Sequence, residues 1–109
     1  MTRRVVRSEA AAEDLLGIAD DVASTLGIDA ALALDARLDT AMESLDAMPD
    51  RGRIVPELRV RGVVAYRELI VVPYRIIYRV EPREVWIVAV LDHRHDLDAV
   101  LRARARRES

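Results

Sequence analysis

Tyr74-Arg75-Ile76-Ile77-Tyr78-Arg79-Val80, the turn Glu81-Pro82-Arg83-Glu84, and then Val85-Trp86-Ile87-Val88-Ala89-Val90-Leu91 decide the fold. Both flanking runs are rich in β-branched and aromatic residues, and the turn between them carries proline and charge, which predicts a hairpin. The first run alternates. Arg75, Ile77 and Arg79 fall on one face of a strand, and Tyr74, Ile76, Tyr78 and Val80 on the other. The second run is apolar at every position, so it needs cover on both faces and belongs in the interior of a sheet. Upstream, residues 65–72 read as a third strand of this group, with Pro73 marking the bend into the next.

Toward the N-terminus the period changes from two to that of a helix. Residues 3–7 are a short strand, and Ser8 stands where an N-cap would, with Glu9, Glu13 and Asp14 in the turns that follow. Ala11, Leu15, Ile18 and Val22 recur on one helical face, which predicts a helix over 9–26 ended by Gly27. A second helix over 29–48, capped by Asp29, presents Leu34, Leu38, Ala41, Leu45 and Met48. The short link makes the two an antiparallel αα-hairpin. Residues 53–64, with Pro56 and Gly62, read as an irregular loop that could hold some extended structure. Residues 97–107 could form a short helix with Leu97, Val100 and Leu101 inward. The expected fold is therefore a single α+β domain over 1–109. Its order is β-α-α-β-β-β(-α), with the αα-hairpin packed on a mainly antiparallel four-stranded sheet.

Composition narrows the classes. Of 109 residues 51% are hydrophobic and 33% charged, which excludes a disordered chain, and one domain of this size folds without staples. With no cysteine there is no disulfide and no thiol chemistry. No apolar run is long enough for a membrane span, and Met1-Thr2-Arg3-Arg4 leads into a strand rather than a signal peptide, so the expected location is the cytoplasm. The net charge of −2 conceals a split: residues 1–50 sum to −7 and residues 51–109 to +5, and every basic residue is arginine. GC-rich codon usage explains the absence of lysine but not the segregation, which suggests that the second half faces an anionic partner.

The chain resembles the RelE/ParE superfamily, the toxins of bacterial type II toxin–antitoxin pairs. The matching stretches are Ala12-Glu13-Asp14-Leu15-Leu16-Gly17-Ile18, Leu45 through Pro49 to Gly52-Arg53, Val55-Pro56-Glu57-Leu58 and Tyr66-Arg67-Glu68-Leu69. The hairpin described above and His93-Arg94-His95-Asp96-Leu97 complete them. RelE-like members cleave messenger RNA on the ribosome, whereas ParE-like members inhibit DNA gyrase without a known catalytic step there. Fold alone does not choose between them.

The candidate site follows from the strand alternation. If the αα-hairpin covers Ile76 and Tyr78, then Arg75 and Arg79 project from an open face, where Arg67 and Arg94 could join them in binding phosphate or carboxylate. The alternative is that Arg75 and Arg79 form a solvated face or pair with Glu68. The resemblance implies that Arg75 and Arg94 would hold the scissile phosphate in a nuclease. His93 or His95 could act as acid or base there, or belong to a polar turn with Asp96 as the next N-cap. A bare His-x-His lacks a third ligand at usual spacing, so no metal or other cofactor is expected. The tyrosine that RelE-like enzymes use as a base falls near Val100. The isoelectric point of about 5.7 also opposes ribosome binding.

These departures favour the ParE-like branch. On that reading the chain is a toxin of a plasmid-stabilisation or growth-arrest module that inhibits DNA gyrase by binding. The open face and Arg102, Arg104, Arg106 and Arg107 would dock on the target. The alternatives are a ribosome-dependent mRNA endoribonuclease and a non-toxic binding module with a decayed site. The partner implied by the resemblance is a cognate antitoxin whose apolar and acidic segment packs along the hairpin, at Leu15, Ile18, Val22, Leu34, Leu38 and Arg79. An uncovered hairpin groove would favour a homodimer, and a covered one a toxin–antitoxin hetero-oligomer.

Overall fold

The protein is described from a computed structural model, covering residues 2–108, with side chains through residue 104. Strand β1 (Arg4–Arg7) leads into helices α1 (Glu9–Leu26) and α2 (Ile28–Glu43). Then follow β2 (Arg53–Ile54), α3 (Pro56–Arg59), β3 (Tyr66–Val71), β4 (Tyr74–Val80), β5 (Glu84–Asp92) and α4 (Leu97–Glu108). The sheet order is β1-β5-β4-β3-β2, with β1 parallel to β5 and every other pair antiparallel. The α+β class and the mainly antiparallel sheet are as expected, but the sheet has five strands, not four. The extra strand lies in the loop expected to hold at most some extended structure, whereas helix α3, in the same loop, is unexpected. Two residues of strand and one helical turn are too short for any period to appear in the sequence.

Gly27 joins the two helices. At φ 98° it ends α1, its N–H bonding Ala23 O at 3.0 Å, and directly starts α2 with no side-chain cap. Only glycine takes that backbone conformation freely. Asp29, expected as the cap, therefore falls inside the first turn of α2. The second helix also stops at Glu43, and Met48 is exposed rather than on its apolar face.

Two apolar layers flank the sheet. On one side Ala11 and Leu15 of α1 and Leu38 and Met42 of α2 pack with Leu69, Ile76, Tyr78, Val85, Ile87 and Val90. On the other, Val55, Leu58, Leu97 and Leu101 pack with Ile77, Val88, Ala89 and Leu91. So β5 is covered on both faces, as its unbroken apolar run requires. The face expected to be open is not. Helices α3 and α4 close much of it, because Ile77, Ala89 and Leu91 present too much apolar surface to leave wet. Among the described residues, no helix is long and apolar enough to cross a membrane.

Strand β5 carries a bulge: Ile77 faces Ala89 while Tyr78 faces Ile87, so Val88 is the extra residue. Its carbonyl accepts from Ser8 Oγ at 3.3 Å and from Arg104 Nη1 at 2.9 Å, and Val90 N donates to Asp14 Oδ2 at 2.9 Å. Ser8 Oγ also accepts from Ala11 N at 3.0 Å, as the N-cap of α1. One hydroxyl thus serves both the helix start and the bulge. Ser8→Ala is expected to cost about 1–2 kcal/mol in urea unfolding, the sum of a lost cap and a lost buried bond. A loss below a few tenths of a kcal/mol would mean that water replaces both contacts.

Candidate functional site

The alternation of β4 brings Arg75 to the face bearing α3, beside Glu68 of β3. Glu68 is buried, and its side chain is 0% exposed. Its two oxygens are divided between Arg53 Nε at 2.7 Å and Arg75 Nε at 2.6 Å. The remaining edge of the Arg75 guanidinium meets Glu57 of α3 in a two-point contact, 2.6 Å to Oε2 and 2.9 Å to Oε1. This fork–fork geometry is the strongest form of arginine–carboxylate pairing. The Arg75 fork holds the Glu57 carboxyl below its usual range, and the two carboxylates raise Arg75 further above its own. Two arginines and two glutamates cancel, so the cluster carries no net charge. All five N–H groups of a guanidinium are not needed for this, but both of its forked edges are occupied.

Other arginines expected on the anion-binding face are likewise engaged. Arg67 donates to Gly52 O at 2.8 Å and faces Asp50. Arg79 bonds Glu81 at 2.7 Å. Arg102 pairs with Asp98, which Arg61 also reaches from the loop after α3. Arg104 is the largest departure from expectation. It forms a two-point pair with Asp14 of α1, at 2.7 and 2.8 Å, and fastens α4 to the bulge of β5. Its role is to hold the fold, and it is largely buried. The side chains of Arg106 and Arg107 lie outside the described residues.

The residues expected to serve catalysis are not assembled at one point. Arg75 lines a pocket of about 410 Å³ with Arg53, Glu57, Ile70, Val72, Pro73, Tyr74 and His93. Arg94 and His95 line a different cleft, between α1 and the end of β5, with Glu13, Asp14, Asp21 and Asp92. Asp92 ties that cleft together. It accepts from Arg94 Nη2 at 2.7 Å and sits 3.1 Å from His95 Nδ1. Arg94 is the main cause that holds the Asp92 carboxyl well below the usual carboxylate range. The arrangement is a turn closed by its own charges, with Asp96 accepting from Ala99 N at 3.2 Å at the start of α4. No group of three or more possible metal ligands occurs among the described residues.

The hairpin residues expected to meet a partner are mostly interior. Leu38 is 1% exposed, Leu15 is buried, and Ile18 and Leu34 pack against the same core. Val22 is half-buried. They cannot form a docking surface while they hold the helices to the sheet. The apolar side chains that do reach solvent are Leu16, Leu26, Ile28 and Leu32. Leu16 and Leu32 flank a groove of about 430 Å³ between α1 and α2, floored by Ala12, Ala19 and Ala31. The helical period marks the inward face, and these leucines lie off it. An amphipathic count treats them as exceptions, although leucines outside the stripe are themselves the signal of a second contact surface.

The geometry can be set beside known proteins. A family model described as "ParE toxin of type II toxin-antitoxin system, parDE" matches residues 5–97. The chain belongs to the ParE toxin family. It is 32% identical over 98 residues to Toxin ParE3 of Caulobacter vibrioides, across 90% of this chain and 94% of that protein. In fold it is similar to a solved chain described as "Chromosomal ParDE TA system from P. aeruginosa", with a TM-score of 0.70 and 21% identity. That likeness covers 84% of this chain and 96% of the other. The matched residues run from β1 to the first residue of α4, so the ParE family match includes both charge clusters described above.

Proposed function

We propose that this ParE-family toxin arrests growth by binding DNA gyrase in the cytoplasm, without catalysing a reaction, and that a cognate antitoxin neutralises it. The observation that carries the non-catalytic reading is the state of Arg75 and Arg94. The resemblance to RelE-like nucleases implies that both would hold one phosphate if the chain were a nuclease. Here Arg75 is closed by Glu57 and Glu68, while Arg94 stands in another cleft and is paired with Asp92. A phosphate would have to displace a forked carboxylate before it met a free cation. The histidines add nothing to correct this, since His93 and His95 fall on different sides of Arg94 and line different clefts.

The antitoxin is assigned to the groove between α1 and α2, where Leu16 and Leu32 are exposed apolar residues. Burial of such surface is the ordinary driving force for a protein partner.

The discriminating experiment is inducible expression with parallel measurement of transcript integrity and plasmid supercoiling. Relaxed plasmid with intact transcripts is the expected result, and purified protein should block gyrase supercoiling in vitro. Cut transcripts with normal supercoiling would overturn the reading in favour of an endoribonuclease. Unimpeded growth with folded, antitoxin-free protein would leave a binding module of the same fold.

A further inference from the structure

The sheet ends on an unfinished edge. Strand β2 pairs with β3 only at Arg53↔Glu68 and Ile54↔Arg67, and Val55 N donates to Tyr66 O at 3.0 Å. In an antiparallel ladder the backbone groups of alternate residues point to the same neighbour. Tyr66 and Glu68 therefore point toward β2, and so does Ile70, two residues beyond the end of that pairing. The residue that would face Ile70 is Arg51, but its N–H turns back to Met48 O at 3.2 Å. Among the described residues nothing on the backbone pairs with the outward N–H and C=O of Ile70. Ile70 is 50% exposed and Val72 73%.

Two grooves meet at this edge, one on each face of the sheet, and both include Ile70 and Val72. The groove on the α2 side has a volume of about 620 Å³ and an apolar floor of Ala36, Ala41 and Val71. Its charged residues are Arg37 and Arg51, with no acid. The groove on the other side is lined by Arg53, Arg75 and Glu57, which with the buried Glu68 form the charge-neutral cluster described above. A strand added beside β3 would send alternate side chains into these two grooves.

We propose that the edge of β3 at Ile70 is a strand-addition site for an extended segment of the antitoxin that alternates apolar and acidic residues. It rests on the reading that an antitoxin holds this toxin, and it specifies a second contact besides the α1–α2 groove. Charge selects the occupant. A second copy pairing edge to edge would bring Arg37 and Arg51 against their own equivalents, which opposes a dimer there. An acidic strand meets the same arginines favourably. An open edge with exposed apolar residues is also a liability that a partner removes.

The probe is a blocked peptide that alternates Val and Glu, together with its twin carrying Lys for Glu. Titrated into the full chain, the acidic peptide should bind at least about tenfold more tightly than the basic one, and should protect the Ile70 amide from hydrogen exchange. Ile70→Pro removes the outward donor at an edge position that tolerates proline, and should weaken binding by about tenfold or more. Ile70→Val, which keeps the donor, should bind like the parent. The double reversal Arg37→Glu with Arg51→Glu lies on exposed side chains and should exchange the preference between the two peptides.

Equal binding of the two peptides, or wild-type affinity in folded Ile70→Pro, would overturn the proposal. So would a self-associated chain that Ile70→Pro dissociates, since a second copy would then own the edge. The readout involves neither gyrase nor growth, so its failure is separable from failure of the functional reading.

Discussion

An Arg75→Ala variant is expected to lose about 3 kcal/mol of folding stability at neutral pH, measured by urea unfolding. The cause lies in Glu68, whose carboxylate has no exposure and depends on Arg53 and Arg75 for its neutralisation. Arg53 is mostly in water, whereas Arg75 is the partner held inside, 15% exposed. Deleting it leaves a buried charge with one solvated cation, and Glu57 loses both of its bonds to the fork.

The sign with pH follows from Glu57. Its carboxyl is depressed below the ordinary 4.5 by the Arg75 contact. The stability this supplies is complete above 4.5 and is lost as pH falls through the lowered value. The gap between parent and variant should therefore be widest near neutrality and narrow below about pH 4. A gap under about 1 kcal/mol, or one that does not change with pH, would show that the cluster is not structural. Because folding itself is at stake, loss of growth arrest in Arg75→Ala identifies a target contact only if the folded fraction is unchanged.

Gly52→Ala is the second large effect, with an expected loss of about 2–3 kcal/mol and a Tm lower by more than about 10 °C. A methyl at that position would lie 2.5 Å from the Glu68 carbonyl oxygen and 2.5 Å from Tyr78 Oη. The carbonyl belongs to the β2–β3 ladder and cannot move without breaking it. The tyrosine hydroxyl is equally constrained, since it accepts from Gly52 N at 2.9 Å and donates to Pro49 O at 2.8 Å. Glycine is required here for space, its φ being ordinary. Gly17→Ala is the control, because nothing lies within 4 Å of the added methyl on α1. It should leave stability unchanged or raise it by up to about 1 kcal/mol. A Gly52→Ala variant as stable as this control would mean that the loop at 49–52 shifts freely.

Much of the fold was legible because its signals are local. The unbroken apolar run in β5 required two covered faces, and the two layers supply them with Val85, Ile87 and Val90 on one side and Val88, Ala89 and Leu91 on the other. Ser8 is the cap its position suggested. The alternation of β4 correctly set Arg75 and Ile77 apart from Ile76 and Tyr78. What the alternation could not contain was the lid over that face. Helix α3 is four residues long, too short for a period, yet it brings Leu58 into the second core and Glu57 onto Arg75.

The candidate site was less legible for the same reason. Arg75 and Glu68 could be paired by inspection as neighbours on adjacent strands, but Glu57 comes from a different element and Asp14 meets Arg104 across 90 positions. Arginines that look alike in sequence thus divide into a buried hub, a clip for α4 and surface pairs.

By itself the amino-acid sequence determined the order of the long elements, the inward faces of α1, β4 and β5, and the resemblance to the ParE and RelE toxins. Period, turn chemistry and composition act over a few residues and need no packed partner to be read. Only the tertiary structure decided which charges cancel, that the arginine-bearing face is covered, and that β3 is left with an open edge. Those outcomes depend on which side chains distant segments bring within about 3 Å of one another, a distance at which the pairing of an arginine decides whether it binds a partner or holds the fold.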